Sequence, residues 1–375
     1  MFIIGNQKPQ QTQQKIPFDT VLSFAGLQLK TMEQVESMAT RIEQAPCVET
    51  LILCGNSIGV DEGKRLAKAL ERHGELKKLI FCDMFTGRLR SEIPETIKSM
   101  LSAVTKSGAQ IQALNVADNA FGPIGAESIS EFLLSPACNT LQILDLNNTG
   151  LGEGAMIISR CLLEMKENAK REGRVFCLKT FKCDRNRLYS AGGSALSKAV
   201  KGLGTLEHFS MMGCTIQWQG IVDIAQSLTF NPHLKRINVS DNLPGSKGSR
   251  QIAEALKHLK ELEDVVLEDL LLRNAAVDVV KALCDGQHRN LKKLNLCGNQ
   301  IKFDAGRAII EIWKRNGDMP LLWLGLNAFG EDGFEEFEQL IEGYSNIDLG
   351  DLEEDEYVSG EEDDDESDTE DDDAN

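Results

Sequence analysis

The 375-residue chain predicts an α/β solenoid, a curved stack of similar strand–helix units, and three observations carry that prediction. An apolar pattern recurs along the chain, an asparagine recurs at a fixed place within it, and an amphipathic segment follows most copies. Units of this kind cannot bury their apolar faces alone and are stable only when stacked. One continuous repeat domain is therefore expected, although the length alone would allow two or three domains.

The repeated pattern is L-x-x-L-x-L-x-x-N-x-L, with asparagine at the ninth position. The five clearest copies begin at Val48, Ile111, Leu178, Leu291 and Met319. Weaker copies begin at Leu76, Leu141, Leu206, Leu234 and Leu262, and a degenerate first copy begins near Asp19. Most of the eleven starts are 28 or 29 residues apart, which is typical of a long leucine-rich repeat. The expected architecture is a ribonuclease-inhibitor-like horseshoe with parallel strands on its concave face and helices on its convex face.

Each part of the unit has its own physical reason. The L-x-L centre predicts a short strand whose leucines point into the core, because side chains alternate between the two faces of a strand. The asparagine amide can satisfy backbone groups that the following turn leaves unpaired. The second half of the unit, such as GSRQIAEALKHL from Gly248, has apolar residues at helical spacing. The predicted organisation is an N-terminal segment over 1–18, a repeat domain over 19–347 and a tail over 348–375.

Charge separates the tail from the body. The formal net charge is −18, but residues 348–375 hold 17 acidic residues and no lysine or arginine, which leaves 41 acids against 40 bases elsewhere. A nearly neutral body does not favour nucleic-acid binding, which needs basic side chains to neutralise phosphates. The tail is of low complexity and is predicted to be disordered. No secretory signal and no apolar run near 18 residues is present, so membrane insertion is not expected.

The sequence does not predict a metal site or a nucleotide site of its own. The five histidines form no HExxH or HxxxH pair, and the chain contains no P-loop motif. The ten cysteines include no CxxC pair and are interpreted as reduced thiols of a cytosolic or nuclear protein. The segment GNSIG around Ser57 matches the nucleophile elbow of hydrolases, but its place in the repeat accounts for it.

Two repeat steps are much longer than the others, at 35 and 37 residues, and insertions in solenoids often form functional loops. The first contains Phe85-Thr86-Gly87-Arg88 and places Arg88 on a loop at the rim, where an ordinary surface arginine is the simpler interpretation. In the second, Thr149 takes the position of the repeated asparagine. Asn148 then lies just outside that position and could face a partner, although a plain turn residue carries equal weight on spacing alone.

Four segments that depart from simple leucine spacing resemble the Ran GTPase-activating proteins. They are CDMFTGRLRSEIPE from Cys82, ADNAFGPIGAE from Ala117, LNNTGLGEGA from Leu146 and DRNRLYSAGG from Asp184. The resemblance implies a protein that stimulates GTP hydrolysis on Ran and has no active site of its own, since Ran carries the GTP and Mg²⁺. By motif, Asn148 matches the asparagine that fixes the catalytic glutamine of Ran. Arg88 matches the important loop arginine of the family, with a role in electrostatic and docking support.

The same segments supply the partner contacts that the resemblance implies: Asp83, Phe85, Thr86, Asp118, Asn119, Asp184 and Arg185. One departure concerns the catalytic turn, which is usually Asn-Asn-Gly in the family but is Asn148-Thr149-Gly150 here. If Thr149 changed the turn, Asn147 would be the fallback.

The resemblance also implies a biological setting and a competing function. It is to the short, yeast-like forms, and it implies a cytoplasmic or perinuclear monomer that serves nucleocytoplasmic transport, with or without a Ran-binding co-activator. The alternative is a non-catalytic leucine-rich scaffold, similar to ribonuclease inhibitors, that binds a partner along its concave wall. Trp218 and Trp323 favour that alternative weakly, because aromatic anchors are common in protein interfaces.

Overall fold

The computed structural model describes residues 20–285, 288–316 and 320–351. In these residues twelve strands form one parallel sheet in strictly sequential order. The strands are β1 (Val21–Ser23), β2 (Thr50–Ile52), β3 (Lys78–Ile80), β4 (Ala113–Asn115), β5 (Ile143–Asp145), β6 (Thr180–Lys182), β7 (His208–Ser210), β8 (Arg236–Asn238), β9 (Asp264–Val266), β10 (Lys293–Asn295), β11 (Leu321–Trp323) and β12 (Ile347–Asp348).

A helix follows each of the first eleven strands and covers the other side of the core. The helices are α1 (Met32–Gln44), α2 (Val60–Leu70), α3 (Glu92–Lys106), α4 (Gly122–Leu133), α5 (Ala155–Arg171), α6 (Tyr189–Leu203), α7 (Trp218–Leu228), α8 (Gly245–Leu256), α9 (Ala276–Asp285), α10 (Phe303–Arg315) and α11 (Glu331–Leu340). Short 3₁₀ turns cover Pro136–Cys138, Gly152–Gly154 and Arg273–Ala275.

The predicted leucine-rich repeat fold is confirmed. The middle residue of each strand points into the core, as Leu51 and Leu79 illustrate, and both are fully buried. Equivalent residues pair across neighbouring strands, for example Leu51 with Leu79. The strands therefore line one wall and the helices the other. Residues 1–19 and 352–375 lie outside the described residues, so the predictions for the N-terminal segment and the disordered tail remain predictions.

The repeated asparagines hold successive units together. Asn186 is fully buried, and its Nδ2 donates to the carbonyl of Leu146 in the preceding unit at 2.8 Å and to that of Asp184 at 3.0 Å. Its Oδ1 accepts the backbone N–H of Thr149 at 3.1 Å. Asn299, in the unit of β10, makes the corresponding bonds. Its Nδ2 donates to the carbonyl of Leu267, and its Oδ1 accepts the N–H of Leu270. These bonds satisfy turn groups that would otherwise be buried without partners.

The two long steps place their extra residues at opposite ends of the unit. Eleven residues, 81–91, separate β3 from α3, whereas six to nine residues separate the other described strands from their helices. The first insertion therefore lies on the rim where the strands end. In the second long step the extra length goes into α5, which has 17 residues, and into the segment that follows it. That insertion lies at the far end of the helix, away from the rim.

One part of the cysteine prediction was wrong. Cys54 and Cys82 form a disulfide, with their Cα atoms 4.7 Å apart. They hold the same position in neighbouring repeats, so the parallel sheet brings them together although 28 residues separate them in sequence. The absence of a CxxC pair therefore did not exclude a disulfide between neighbouring repeats. The other eight cysteines are thiols, and burial raises the pKa of Cys214 to about 12.

The described helices include none that is both long and apolar enough to span a lipid bilayer.

Candidate functional site

The rim of the horseshoe carries one residue per unit in a left-handed backbone conformation, at the position just before the repeated asparagine. Its φ angles lie between +46° and +72° in all eleven units. This conformation strains most side chains but is tolerated by glycine, asparagine and aspartate. We call this set the rim column: Gly26, Gly55, Asp83, Asp118, Asn148, Arg185, Gly213, Asp241, Asp269, Gly298 and Leu326.

Asn148 is the asparagine of the rim column, and it is held from both neighbouring units. Its φ is +49° and its side chain is exposed. Its backbone N–H donates to the carbonyl of Asp184 in the next unit at 2.7 Å. Its side-chain Nδ2 donates to Oδ1 of Asp118 in the preceding unit at 3.0 Å. The side chain therefore stands on the rim in a defined position instead of a freely rotating one.

Thr149 does not disturb this turn. It is fully buried, and its hydroxyl donates to the carbonyl of Leu146 at 2.9 Å, a bond to its own turn that the repeated asparagine makes in other units. The hydroxyl and the N–H of Thr149 also both reach Oδ1 of Asn186. Because the left-handed conformation of Asn148 belongs to the whole rim column, the exchange of asparagine for threonine leaves it in place.

Asn147, the fallback residue, has a structural role. Its Oδ1 accepts the backbone N–H of Asp184 at 2.7 Å, and its own N–H donates to Oδ1 of Asp145 at 3.1 Å. Its side chain is therefore occupied inside the protein, and Asn148 is the asparagine of this turn that is available to a partner.

Arg88 lies on the long rim loop, but its guanidinium folds back onto the preceding unit. Nε donates to the carbonyl oxygen and to Oγ of Ser57, both at 3.1 Å, and Nη2 donates to the same carbonyl at 2.6 Å. Nη2 also reaches the carbonyl of Lys30 at 3.3 Å. A planar guanidinium can direct two N–H groups at one carbonyl oxygen, here that of Ser57, whereas the ammonium group of lysine cannot. Arg88 thus fastens the loop to the body.

The rest of the loop is packed in the same way. Phe85 is only 6% exposed and meets the ring of Phe121 edge-on, with centroids 6.0 Å apart. It also forms an isolated antiparallel bridge with Ser57. Asp83 and Thr86 are exposed and joined to each other, since the Thr86 hydroxyl donates to Oδ1 of Asp83 at 2.5 Å.

The remaining predicted contact residues divide into exposed and buried groups. Asp118 and Arg185 belong to the rim column and are exposed. Asn119 is buried, and its Oδ1 accepts the N–H of Met84 at 2.9 Å, so its side chain supports the rim without facing outward. Asp184 is 8% exposed, and its Oδ1 accepts the Ser210 hydroxyl at 2.6 Å. Among the predicted site residues, the exposed side chains are those of Asp83, Thr86, Asp118, Asn148 and Arg185.

Sequence reasoning missed Asp145 and the role of Ser57. Asp145 ends β5 beneath the Asn148 turn, and burial raises the pKa of its carboxyl. The Asn147 N–H and Lys182 oppose that increase, whereas Asp184 and Asp118 add to it. It lies between Leu144 and Leu146, whose side chains point into the core, but nothing in the sequence indicated that Asp145 itself is half-buried. The described residues contain no group of His, Cys, Asp and Glu side chains arranged to hold a metal ion.

Comparisons with known proteins found one family model and several relatives that are similar to this chain. A family model described as Leucine Rich repeat matches residues 111–130. The chain is 39% identical to Ran GTPase-activating protein 1 of Xenopus laevis over 90% of its length and 59% of that protein. It is 34% identical to Ran GTPase-activating protein 2 of Caenorhabditis elegans, over 94% of this chain and 37% of the relative.

A third relative is shorter. Ran GTPase-activating protein 1 of Saccharomyces cerevisiae is 26% identical, over 81% of this chain and 76% of the relative. The chain thus spans about three fifths or less of the two more similar relatives and about three quarters of the yeast protein. The chain thus has the leucine-rich repeat fold, and along most of its length it is similar in sequence to Ran GTPase-activating proteins.

Proposed function

We propose that this protein is a GTPase activator that stimulates GTP hydrolysis on Ran. The observation that carries the proposal is the Asn148 turn. An exposed asparagine stands in the turn that follows β5, held by backbone and side-chain hydrogen bonds to both neighbouring units. A polar group fixed in this way before binding can act on a partner without first paying for its own ordering. The relatives named above support the choice of Ran as the partner.

The proposed chemistry is positioning. GTP hydrolysis on small GTPases needs a water molecule aligned with the γ-phosphate, and a glutamine of the GTPase orients that water. Asn148 would contact this glutamine and hold it in its productive orientation. The activator then supplies no nucleophile, metal or nucleotide of its own, and GTP and Mg²⁺ arrive with Ran. Holding a group in place removes entropy from the barrier and is sufficient for a large increase in rate.

Arg88 has a supporting role in this proposal. Its donors are directed at Ser57 and Lys30, so it does not extend from the surface as an arginine finger would. By fastening the loop it would keep Asp83 and Thr86 in place on the surface that meets Ran. Asp83 and Thr86, with Arg185, are the proposed contacts with Ran, and Asp118 stands beside them on the rim column.

The proposed localisation and oligomeric state rest on the similarity to Ran GTPase-activating proteins. The protein would act as a monomer in the cytoplasm or near the nuclear envelope, alone or with a Ran-binding co-activator. There it would keep Ran in its GDP form during nucleocytoplasmic transport.

Single-turnover hydrolysis on Ran·GTP, with this protein present in catalytic amounts, tests the proposal. The expected result is strong stimulation that disappears when the catalytic glutamine of Ran is replaced by leucine, while binding to the altered Ran persists. Equal stimulation of both forms of Ran would refute positioning of the glutamine. No stimulation of normal Ran would refute the activator function itself.

The alternative function is a scaffold that binds a protein along the concave wall. The observation that favours it is Trp323, which ends β11 on that wall and lies under Nζ of Lys293, 3.3 Å from the ring centroid. An aromatic–cation pair of this kind is a frequent anchor in interfaces. Trp323→Ala discriminates the two functions, since a scaffold would lose its partner and an activator would keep its maximal rate.

A further inference from the structure

The side chain of Asn148 has one internal hydrogen bond, and which of its two polar atoms makes that bond decides which atom faces a partner. Nδ2 donates to Oδ1 of Asp118 at 3.0 Å. Among the described residues the side-chain amide of Asn148 has no other hydrogen-bond partner, and because the side chain is exposed, its Oδ1 is open to solvent. The amide group is nearly symmetrical in shape, and rotation by half a turn would exchange its oxygen and its nitrogen.

Asp118 decides between these two orientations. A carboxylate can only accept hydrogen bonds, so it pairs with the NH₂ side of the amide and repels the oxygen side. The bond has a charged acceptor, which makes it stronger than a bond between two neutral groups. The other acidic side chains near this turn each have a hydrogen bond elsewhere, and neither is bonded to the Asn148 side chain. Asp145 accepts from Asn147, and Asp184 accepts from Ser210.

The backbone of both residues is fixed independently of this bond. Asp118 has φ +57° and its N–H donates to the carbonyl of Asn147 at 2.9 Å. Asn148 has φ +49° and is held by the carbonyl of Asp184. With both backbones set, the hydrogen bond between the two side chains acts on side-chain torsions alone, and it selects the orientation of the exposed Asn148 side-chain amide.

We propose that Asp118 is a positioning residue, whose carboxylate turns the Asn148 amide so that Oδ1 faces the partner as a hydrogen-bond acceptor. The inference rests on the proposed activator function and names the group of the GTPase that is recognised. An exposed acceptor on Asn148 fits the NH₂ group of a glutamine side chain. Asp118 itself acts through Asn148 and makes no contribution to hydrolysis when Asn148 is absent.

The rim column supplies a clean variant for the test. Four of its units carry glycine at the position of Asp118, so Asp118→Gly removes the carboxylate without straining the left-handed turn. Asp269→Gly is the matched control. Asp269 is an exposed aspartate of the same column, with φ +52°, five units further along the solenoid. The substitution Asp269→Gly therefore removes the same negative charge from the same kind of turn as Asp118→Gly does.

In single-turnover hydrolysis, Asp118→Gly should lower the rate at saturating activator about tenfold, the rate equivalent of one lost hydrogen bond, with little change in the half-saturating concentration. Asp118→Asn keeps an acceptor but loses the charge, and should fall between this variant and the original protein. Asp269→Gly should leave the rate unchanged. A rise in half-saturating concentration with an unchanged maximal rate would overturn the inference and make Asp118 a docking residue.

A double-mutant cycle with Asn148→Ala separates positioning from direct action. In the Asn148→Ala background, Asp118→Gly should have no further effect on the maximal rate. An equal loss in both backgrounds would overturn the inference, because Asp118 would then act on the partner without Asn148.

A second readout needs no GTPase. In protein labelled with ¹⁵N-asparagine, the side-chain NH₂ signals of Asn148 are assigned by their loss in Asn148→Ala. They should move in Asp118→Gly and stay in place in Asp269→Gly. If they do not move in Asp118→Gly, the hydrogen bond is absent and the inference is wrong, whatever the hydrolysis assay shows. Failure of the proposed function alone would leave the signal shift intact and abolish the stimulation.

Discussion

The two halves of the solenoid are built from the same unit but use their surfaces differently. In the first half the rim column has four consecutive polar side chains, and the long loop before α3 is fastened beside them. In the second half glycine and leucine interrupt the column, and the steps are regular. At the opposite edge, where the strands begin, charge pairs join neighbouring units in both halves: Lys77 with Glu49 near the start, and further along Glu207 with Lys179 and Lys235, and Glu263 with Lys292.

This difference teaches how a repeat protein separates stability from function. The leucine core and the buried amides are shared by both halves, so they stabilise the fold everywhere. Side chains on the rim are outside that core and can vary without loss of stability. Charge pairs bind neighbouring units in both halves, and the first half adds the run of four polar side chains on the rim column.

The largest effect is expected from the buried amide beneath the Asn148 turn. Asn186→Ala removes the acceptor of the Thr149 N–H and hydroxyl and should lower the free energy of unfolding by about 3 kcal/mol. Because the turn would shift, hydrolysis on Ran should fall about a hundredfold. Asn299→Ala, its counterpart in the second half, should destabilise similarly but keep full activity in the folded protein. Urea unfolding and single-turnover rates check both, and equal losses of activity would erase the distinction between the halves.

The next effect concerns the loop. Arg88→Ala should release the segment from Ser57 and raise the half-saturating concentration about tenfold, the equivalent of one to two hydrogen bonds to a charged group. Arg88→Lys should recover little, because a single ammonium cannot reproduce the planar pair of donors. Full recovery by lysine in a binding titration would show that only the charge of Arg88 matters.

A smaller effect is expected from the charge pairs of the second half. Hydrogen bonds from Lys179 and then Lys235 lower the pKa of Glu207 to about 2 from an ordinary value of 4.5. Since the partners are partly exposed, Glu207→Gln should cost about 1 kcal/mol of unfolding free energy at pH 7 and leave hydrolysis unchanged. Because the pKa of Glu207 is lower in the folded protein than in the unfolded chain, its carboxylate stabilises the fold fully above pH 4.5. The difference in unfolding free energy between the original protein and Glu207→Gln should therefore be complete above pH 4.5 and decrease as the pH falls towards 2. Urea unfolding at pH 7 and pH 3 measures it, and a pH-independent difference would point to lost packing.

The smallest effect should come from the acidic tail, whose residues 352–375 lie outside the described structure. A chain that ends at residue 351 keeps β12 and removes most of the negative charge. If the tail steers a basic GTPase, its removal should slow association roughly two- to threefold at low salt and reduce the dependence on salt. Stopped-flow association at two ionic strengths is the measurement, and identical salt slopes would rule out steering.

The sequence was a good guide to whatever repeats. Spacing alone predicted the strands, the helices and the structural role of Asn186 and Asn299, because each depends on neighbours at a fixed period. The sequence also distinguished Asn148 from the structural asparagines, since Thr149 occupies the repeat position and Asn148 precedes it. Its left-handed conformation could have been expected from the glycines in the same column of other units.

What the sequence could not predict are contacts made once between particular units. Arg88 meets Ser57 across 31 residues, and Cys54 meets Cys82 across 28. No local pattern announces such a pair, since only the stacking of two units brings them together. The partial burial of Asp145 is of the same kind, because it depends on the stacking of neighbouring units.

The most direct test of the whole account is the maximal rate of GTP hydrolysis on Ran with Asn148→Ala. If the rim of the first half works by positioning the glutamine of the GTPase, the rate at saturating activator should fall on the order of a hundredfold or more. Binding and the free energy of unfolding should stay close to those of the original protein, since Asn148 is exposed and its side chain makes one internal bond. A variant that binds Ran·GTP normally and still stimulates hydrolysis at the full rate would contradict the account.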